Sequence, residues 1–308
     1  MTEIFLGNEA LGEGLSRHEL RRWYRPLFRG VYMPTGAKPS LGDRTLGAWL
    51  TTNRTGVVAG VAAAALHGSA WIDPDEPIEL LSEHRRMQDG LILRADRYRD
   101  DEVTEIDGIR VTTAARTAFD MGRHQTQRGT ALGRLDALMR AAPFTIEDVR
   151  SIMARYGPVR GVSQLRELLP LIDAGAASPT ESWWRLFLID NGFPAPETQL
   201  PVVDDDGVAF AYLDMGWQDL RLALEYDGDQ HRTDRDQYVR DLRRLPRVEG
   251  LGWHVIRTIA EDRPHDVLRR VYEEWQRRGG PEIDKMVWAS RTLPPKRTFR
   301  RGEGEEAA

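Results

Sequence analysis

The stretch LALEYDGD at residues 222–229 constrains this chain more than any other. Side chains alternate along a strand, so Leu220, Leu222, Leu224 and Tyr226 share one face while Arg221, Ala223, Glu225 and Asp227 share the other. So apolar a run predicts a covered strand, and a carboxylate set into it is costly to bury without a partner. Glu225 therefore demands a cation. The residues that follow add Asp227, Asp229 and His231, then Arg232, Arg235, Arg240, Arg243 and Arg244. Asp227-Gly228 also reads as an ordinary strand-ending turn.

The elements around this strand predict an α/β unit. SPTESWWRLFLIDNGF (178–193) reads as a helix entered through Ser178-Pro179 and stopped at Asn191-Gly192. Asp206-Gly207 lies between two β-prone runs and predicts a hairpin, because both residues tolerate the positive φ of a tight turn. A helix over RDQYVRDLRRL, a strand over 252–259 and an amphipathic helix over 263–278 complete the order helix, three-stranded meander, helix, strand, helix. That order predicts a mixed sheet covered on both faces. Asp214 falls in the second strand and Glu225 in the third, so two carboxylates on neighbouring strands can share one cation if the register agrees.

The N-terminal part reads differently. Leu15, Leu20 and Trp23 have helical spacing with Ser16 able to cap the start, and Arg29-Gly30-Val31-Tyr32 follows in a short β-prone stretch. Residues 43–53 and VVAGVAAAALHG (57–68) read as helices, PIELLSE, LILRAD and IRVTT as strands, and four more helices run to about residue 173. AGAASP (174–179) is small, reads as flexible and ends in proline, which makes it the candidate boundary. At 308 residues, two domains are expected: 1–175 and 176–280, with a polar tail over 281–308 expected to be disordered.

Composition excludes some functions. The chain has no cysteine, so a metal must be held by oxygen or imidazole. No run of about 18 apolar residues occurs, which argues against a membrane helix and makes the cytoplasm the expected location. The net charge of −5 does not by itself suggest nucleic acid, but the charge is uneven: acids dominate 202–229 and arginines crowd 232–278.

Residues 178–278 resemble the very-short-patch-repair endonuclease-like branch of the PD-(D/E)XK nuclease superfamily. The resemblance rests on Ser178 and Glu181, Tyr212-Leu213-Asp214, Glu225-Tyr226-Asp227-Gly228 with His231, Asp236, Arg240 and Asp241, and Gly252 to Arg257. It implies a restriction-endonuclease-like sheet and a metal-dependent endonuclease or nickase, acting in DNA repair or phage defence. Mg²⁺ or Mn²⁺ would be held by Asp214 and Glu225, with Glu181 as an extra carboxylate or simply a partner of its helix dipole. The superfamily's usual lysine two residues after the glutamate is Asp227 here, which leaves water activation to Asp227, His231 or an arginine. Arg232, Arg235, Arg240, Arg243 and Arg257 would then meet DNA phosphates.

The N-terminal part resembles the antitoxin of abortive-infection type IV toxin–antitoxin systems, through Leu15 to Tyr24, Phe28 to Tyr32 and the alanine-rich segment ending in Leu66-His67-Gly68. This implies a winged helix that binds DNA through Arg21 and Arg22, with a toxin or a second copy of the chain as further partner. The alternative function is a non-catalytic, antitoxin-like transcriptional regulator with a degenerate nuclease fold.

Overall fold

The computed structural model describes residues 3–83, 87–228 and 235–283, with the backbone alone for 235–242. Two compact units divide the described residues: one takes residues up to 126 and 137–172, the other takes 127–136 and 173–283.

The first unit begins with β1 (Phe5–Leu6), α1 (Gly7–Gly12), α2 (Arg17–Trp23), β2 (Tyr24–Phe28) and β3 (Val31–Pro34). β3 lies between β1 and β2, antiparallel to both, so two short helices sit between the edge strand and a β-hairpin turning at Arg29-Gly30. Next come α3 (Leu41–Thr51), β4 (Val57–Ala59), α4 (Gly60–Leu66), β5 (Ile78–Leu81), β6 (Leu91–Arg94), β7 (Val103–Ile106), β8 (Ile109–Thr112), α5 (Ala114–His124), α6 (Arg128–Ala141), whose residues up to 136 count with the second unit, α7 (Ile146–Tyr156) and α8 (Val162–Leu168). Their five strands form one mixed sheet in the order β6-β5-β4-β8-β7. Its core joins Val58, Ile78, Leu80 and Val111 to Ala62 and Ala63 of α4 and to Ala48 and Leu50 of α3.

The second unit contains α9 (Pro179–Asp190), β9 (Glu197–Val203), β10 (Ala209–Trp217), β11 (Leu222–Tyr226), α10 (Arg235–Gly250), β12 (His254–Thr258) and α11 (Pro264–Arg277). The sheet order is β12-β11-β10-β9, antiparallel except for the β11/β12 pair. Leu222, Leu224, Met215 and Ile256 pack against Trp183, Trp184 and Phe187 of α9 and Val267, Leu268, Val271 and Trp275 of α11. On the opposite face, Ala223, Leu213, Leu200 and Val202 pack with Val248 of α10 and with Trp253. The mixed, doubly covered α/β sheet expected from the alternation is the one observed.

Local chemistry fixes many of the boundaries. α2 opens on a capping box in which Glu19 N donates to Ser16 Oγ (3.2 Å) while Ser16 N donates to Glu19 Oε2 (2.9 Å). Ser40 with Asp43 and Thr145 with Asp148 start α3 and α7 in the same way. α9 is capped by Ser178 with Pro179 in its first turn, where a missing N–H costs nothing.

Four expectations need correction. Residues 57–59 form the central strand β4 rather than the start of a helix, because Val57, Val58 and Ala59 are wholly buried between β5 and β8, and β-branched residues suit a covered strand. Gly60, at φ +57, then turns the chain into α4 beside the Glu79 carboxylate. β7 was not anticipated. Trp23, read as part of an apolar helix face, is 57% exposed. Finally, none of residues 171–180 is exposed. Asp173 accepts from Gly175 N (2.8 Å) and Thr198 Oγ1 (2.9 Å), and Gly175 packs so closely on Thr198 that a Cβ would meet its hydroxyl, so the small residues of this segment serve close packing rather than free hinging.

Candidate functional site

In the second unit, Glu225 lies one residue before the end of β11, the strand that the sequence singled out, and it is buried. The β10/β11 ladder pairs Met215 with Leu224, and one further step places Asp214 opposite Glu225. There the ladder gives way to a side chain: Tyr226 N donates to Asp214 Oδ2 (2.9 Å). The register left open by the sequence is thus the one that brings both carboxylates together.

The cation that meets Glu225 is Arg244. Its Nη1 donates to Oε1 (2.8 Å) and its Nη2 to Oε2 (2.9 Å), a two-pronged pair that engages both carboxylate oxygens. Arg244 reaches across from α10, nineteen residues along the chain. Glu181, in the first turn of α9, accepts from Ala177 N (2.8 Å) and from Ser178 Oγ (2.9 Å), so it closes the helix start as its dipole favours. Glu181 is also near enough to act on Asp214. Burial, then the negative charges of Glu181 and Glu225, push the Asp214 carboxyl up to about 7, against the opposing Tyr226 N–H and Arg244. One carboxyl of the group is thereby poised to hold a proton near neutrality.

Asp227 belongs to a separate pair. Its Oδ2 accepts from Arg257 Nη2 (2.5 Å) on β12, while its N–H extends the sheet to Thr258 O (2.8 Å). Arg257 is therefore bound to a carboxylate. Arg243 is exposed on α10. Arg235 and Arg240 lie on the same helix, but their side chains, together with His231 and Arg232, fall outside the described residues.

In the first unit, Arg21 and Arg22 are exposed on α2, with the Arg22 guanidinium 4.9 Å from the centre of the Trp23 ring. Arg17, Arg21, Arg22, Arg25, Arg29 and Lys38 stand against one acid, Glu19, between residues 15 and 38. Both Ser16 N and Ser16 Oγ donate to the Glu19 carboxylate, and these bonds lower its pKa. A basic patch that the whole-chain charge conceals is thus present locally.

Sequence reasoning did not find the ion network of α5. Arg116, 1% exposed, donates to Asp120 (2.8 Å), to Arg97 O (3.0 Å) and to Glu102. Arg123 joins Asp120 (3.0 Å) to Asp96, and His124 lies 3.3 Å from Glu79 and 3.6 Å from Asp96. The donor atoms of Asp96, Asp120 and His124 lie within 4.8 Å of one another, but Arg123 already bridges the two carboxylates. Its i, i+4 spacing, Arg116 to Asp120, was the available signal. His67 is structural, its Nε2 lying 2.7 Å from Thr112 O.

Among the described residues no helix is long and apolar enough to cross a membrane. Comparison with known proteins places the matched region just after the basic helix and hairpin: residues 56–171 match the AbiEi antitoxin C-terminal domain. Two uncharacterized proteins of Mycobacterium tuberculosis, from strains CDC 1551 and H37Rv, are each 30% identical over 245 residues, covering 79% of this chain and 86% of the relative. The antitoxin likeness thus rests on the five-stranded sheet and its helices, and takes in the alanine-rich segment ending at Gly68 but not Leu15 to Tyr32. The chain belongs to the family of these mycobacterial proteins, and within it residues 56–171 are similar to the AbiEi antitoxin C-terminal domain.

Proposed function

We propose that this protein is an antitoxin-like, DNA-binding transcriptional regulator whose second unit has a nuclease-like arrangement but does not cut. The observation that carries the reading is the antitoxin domain over residues 56–171. The helix–turn–helix and hairpin before it, with β3 between β1 and β2, have the build of a winged helix, and their six basic side chains suit a phosphate backbone. Duplex DNA is the partner this segment fits, and a toxin is the further partner that the domain's name suggests.

A divalent cation does not fit the acidic group as folded. Arg244 engages both oxygens of Glu225, Asp214 accepts a backbone N–H, and Glu181 closes its helix start. A guanidinium satisfies Glu225 where a nuclease would need a metal, so no hydrolytic step is assigned to these residues.

One observation favours the second reading, a Mg²⁺- or Mn²⁺-dependent endonuclease. Asp214, Glu181 and Glu225 come from three elements, and Glu181 and Glu225 lie near enough to Asp214 to raise its proton affinity, an arrangement that packing alone does not require. That reading needs Arg244 to release Glu225. Incubation with supercoiled plasmid and Mg²⁺ or Mn²⁺, with EDTA controls, separates the two. Wild type and Arg244→Lys, which keeps the charge but loses the fork, are expected to bind a labelled duplex and leave plasmid intact. Metal-dependent nicking by wild type would overturn the regulator reading, and absence of duplex binding at low salt would overturn its DNA component.

A further inference from the structure

Trp23 is the anomaly of the basic segment. A large indole that the sequence offers as a core residue is instead 57% exposed at the end of α2, among arginines. Its backbone is fixed, since Thr35 N donates to Trp23 O (2.9 Å) and so ties the helix end to the chain leaving β3. The Arg22 guanidinium lies 4.9 Å from its ring centre, in the range where a cation is held by the ring's face. Leu20 alone in α2 is buried, so the helix is anchored by one side chain and turns the rest outward. An apolar plate kept in water beside Arg22, in a segment that carries six basic residues against one acid, has a complementary surface in duplex DNA. Phosphates meet the arginines, and deoxyribose and base edges offer apolar area between them.

Resting on the DNA-binding reading of this segment, we infer that Trp23 is an affinity- and specificity-determining contact. Its indole packs on the sugars and base edges of one groove wall, while Arg22, held over the ring, reaches the neighbouring phosphate. Trp23 supplies the part of the binding that salt does not screen. The arginines supply the part that salt removes by counterion competition.

The experiment uses the full chain and a fluorescein-labelled 30-base-pair duplex of mixed sequence, titrated at several salt concentrations. Trp23→Ala is expected to weaken binding by about tenfold at every salt concentration, with the slope of log Kd against log salt unchanged. Trp23→Phe should recover part of the loss. Arg21→Glu with Arg22→Glu should instead flatten the slope by about two contacts' worth. An unaltered circular dichroism spectrum and melting temperature for Trp23→Ala establish that an exposed side chain was removed without unfolding. Wild-type affinity in Trp23→Ala would overturn the inference while leaving the DNA-binding reading intact. So would a change confined to molecular mass in solution, which would make the indole a contact between copies of the chain. Absence of wild-type binding would overturn both. Selection of preferred duplexes from a random pool by wild type and by Trp23→Ala gives the specificity readout: identical preferences would refute a role in specificity.

Discussion

At the scale of single residues, Asp214 has the most consequential chemistry. Its carboxyl is pushed up to about 7 from an ordinary 3.8, first by burial and then by Glu181. Between these values the folded chain keeps a proton that the unfolded chain has lost, so stability is greatest below about pH 4, falls as pH rises toward 7, and is level above. Asp214→Asn removes this dependence while leaving an oxygen to accept from Tyr226 N. The variant should be more stable than wild type at pH 8, by about 2 to 4 kcal/mol, and nearly equal to it at pH 4. Urea melts at both values check this, and an equal shift at the two would show that Asp214 does not titrate in this range. Glu225 was legible from sequence as a carboxylate in need of a partner. The partner's identity was not, because a metal and an arginine satisfy the same demand.

At the scale of elements, α6 and α9 are joined by a buried ion pair. Arg185 Nη2 donates to Asp136 Oδ2 (2.9 Å), and Asp173 N donates to Asp136 Oδ1 (2.8 Å). Burial raises the Asp136 carboxyl to about 6 in spite of Arg185. At Gly133, one turn earlier on α6, a Cβ would lie 3.3 Å from Pro179, so the helices approach closely at their contact. Breaking a buried pair by removing one member leaves the other charged in a dry site. Asp136→Ala should therefore cost about 3 to 5 kcal/mol, whereas Asp136→Asn, which still accepts a hydrogen bond, should cost less. Denaturant midpoints of both variants at pH 8 decide this, and equal losses would show that shape rather than the polar bridge matters. The helices themselves were readable in advance, since capping boxes and 3.6-residue spacing act within a few residues. Their pairing was not: Asp136 and Arg185 are 49 residues apart.

At the scale of the whole molecule, the second unit takes in Gln127–Asp136, outside the 176–280 segment that a reading of linkers picks out. This ties its stability to a half-helix from upstream. A fragment of residues 127–283 is expected to melt cooperatively, and a fragment of 176–283 to melt at least about 5 °C lower, because Arg185 loses Asp136. Calorimetry on the two fragments tests it, and equal melting temperatures would make the upstream half-helix dispensable. Limited proteolysis should spare 174–179, whose residues are packed and hydrogen-bonded. The sequence by itself determined the α/β class, the three-stranded meander with its Asp206-Gly207 turn, the helix starts, and the placement of Asp214 and Glu225 on adjacent strands with their register open. Those features follow from residue periodicity, turn geometry and capping, all of which are local. Only the tertiary structure decided that Val57–Ala59 is a central strand, that Trp23 faces water, that AGAASP is packed, and that Arg244 pairs with Glu225. Each of those depends on what lies across the fold, where burial overrides local preference and a charge takes whichever partner the packing brings within reach.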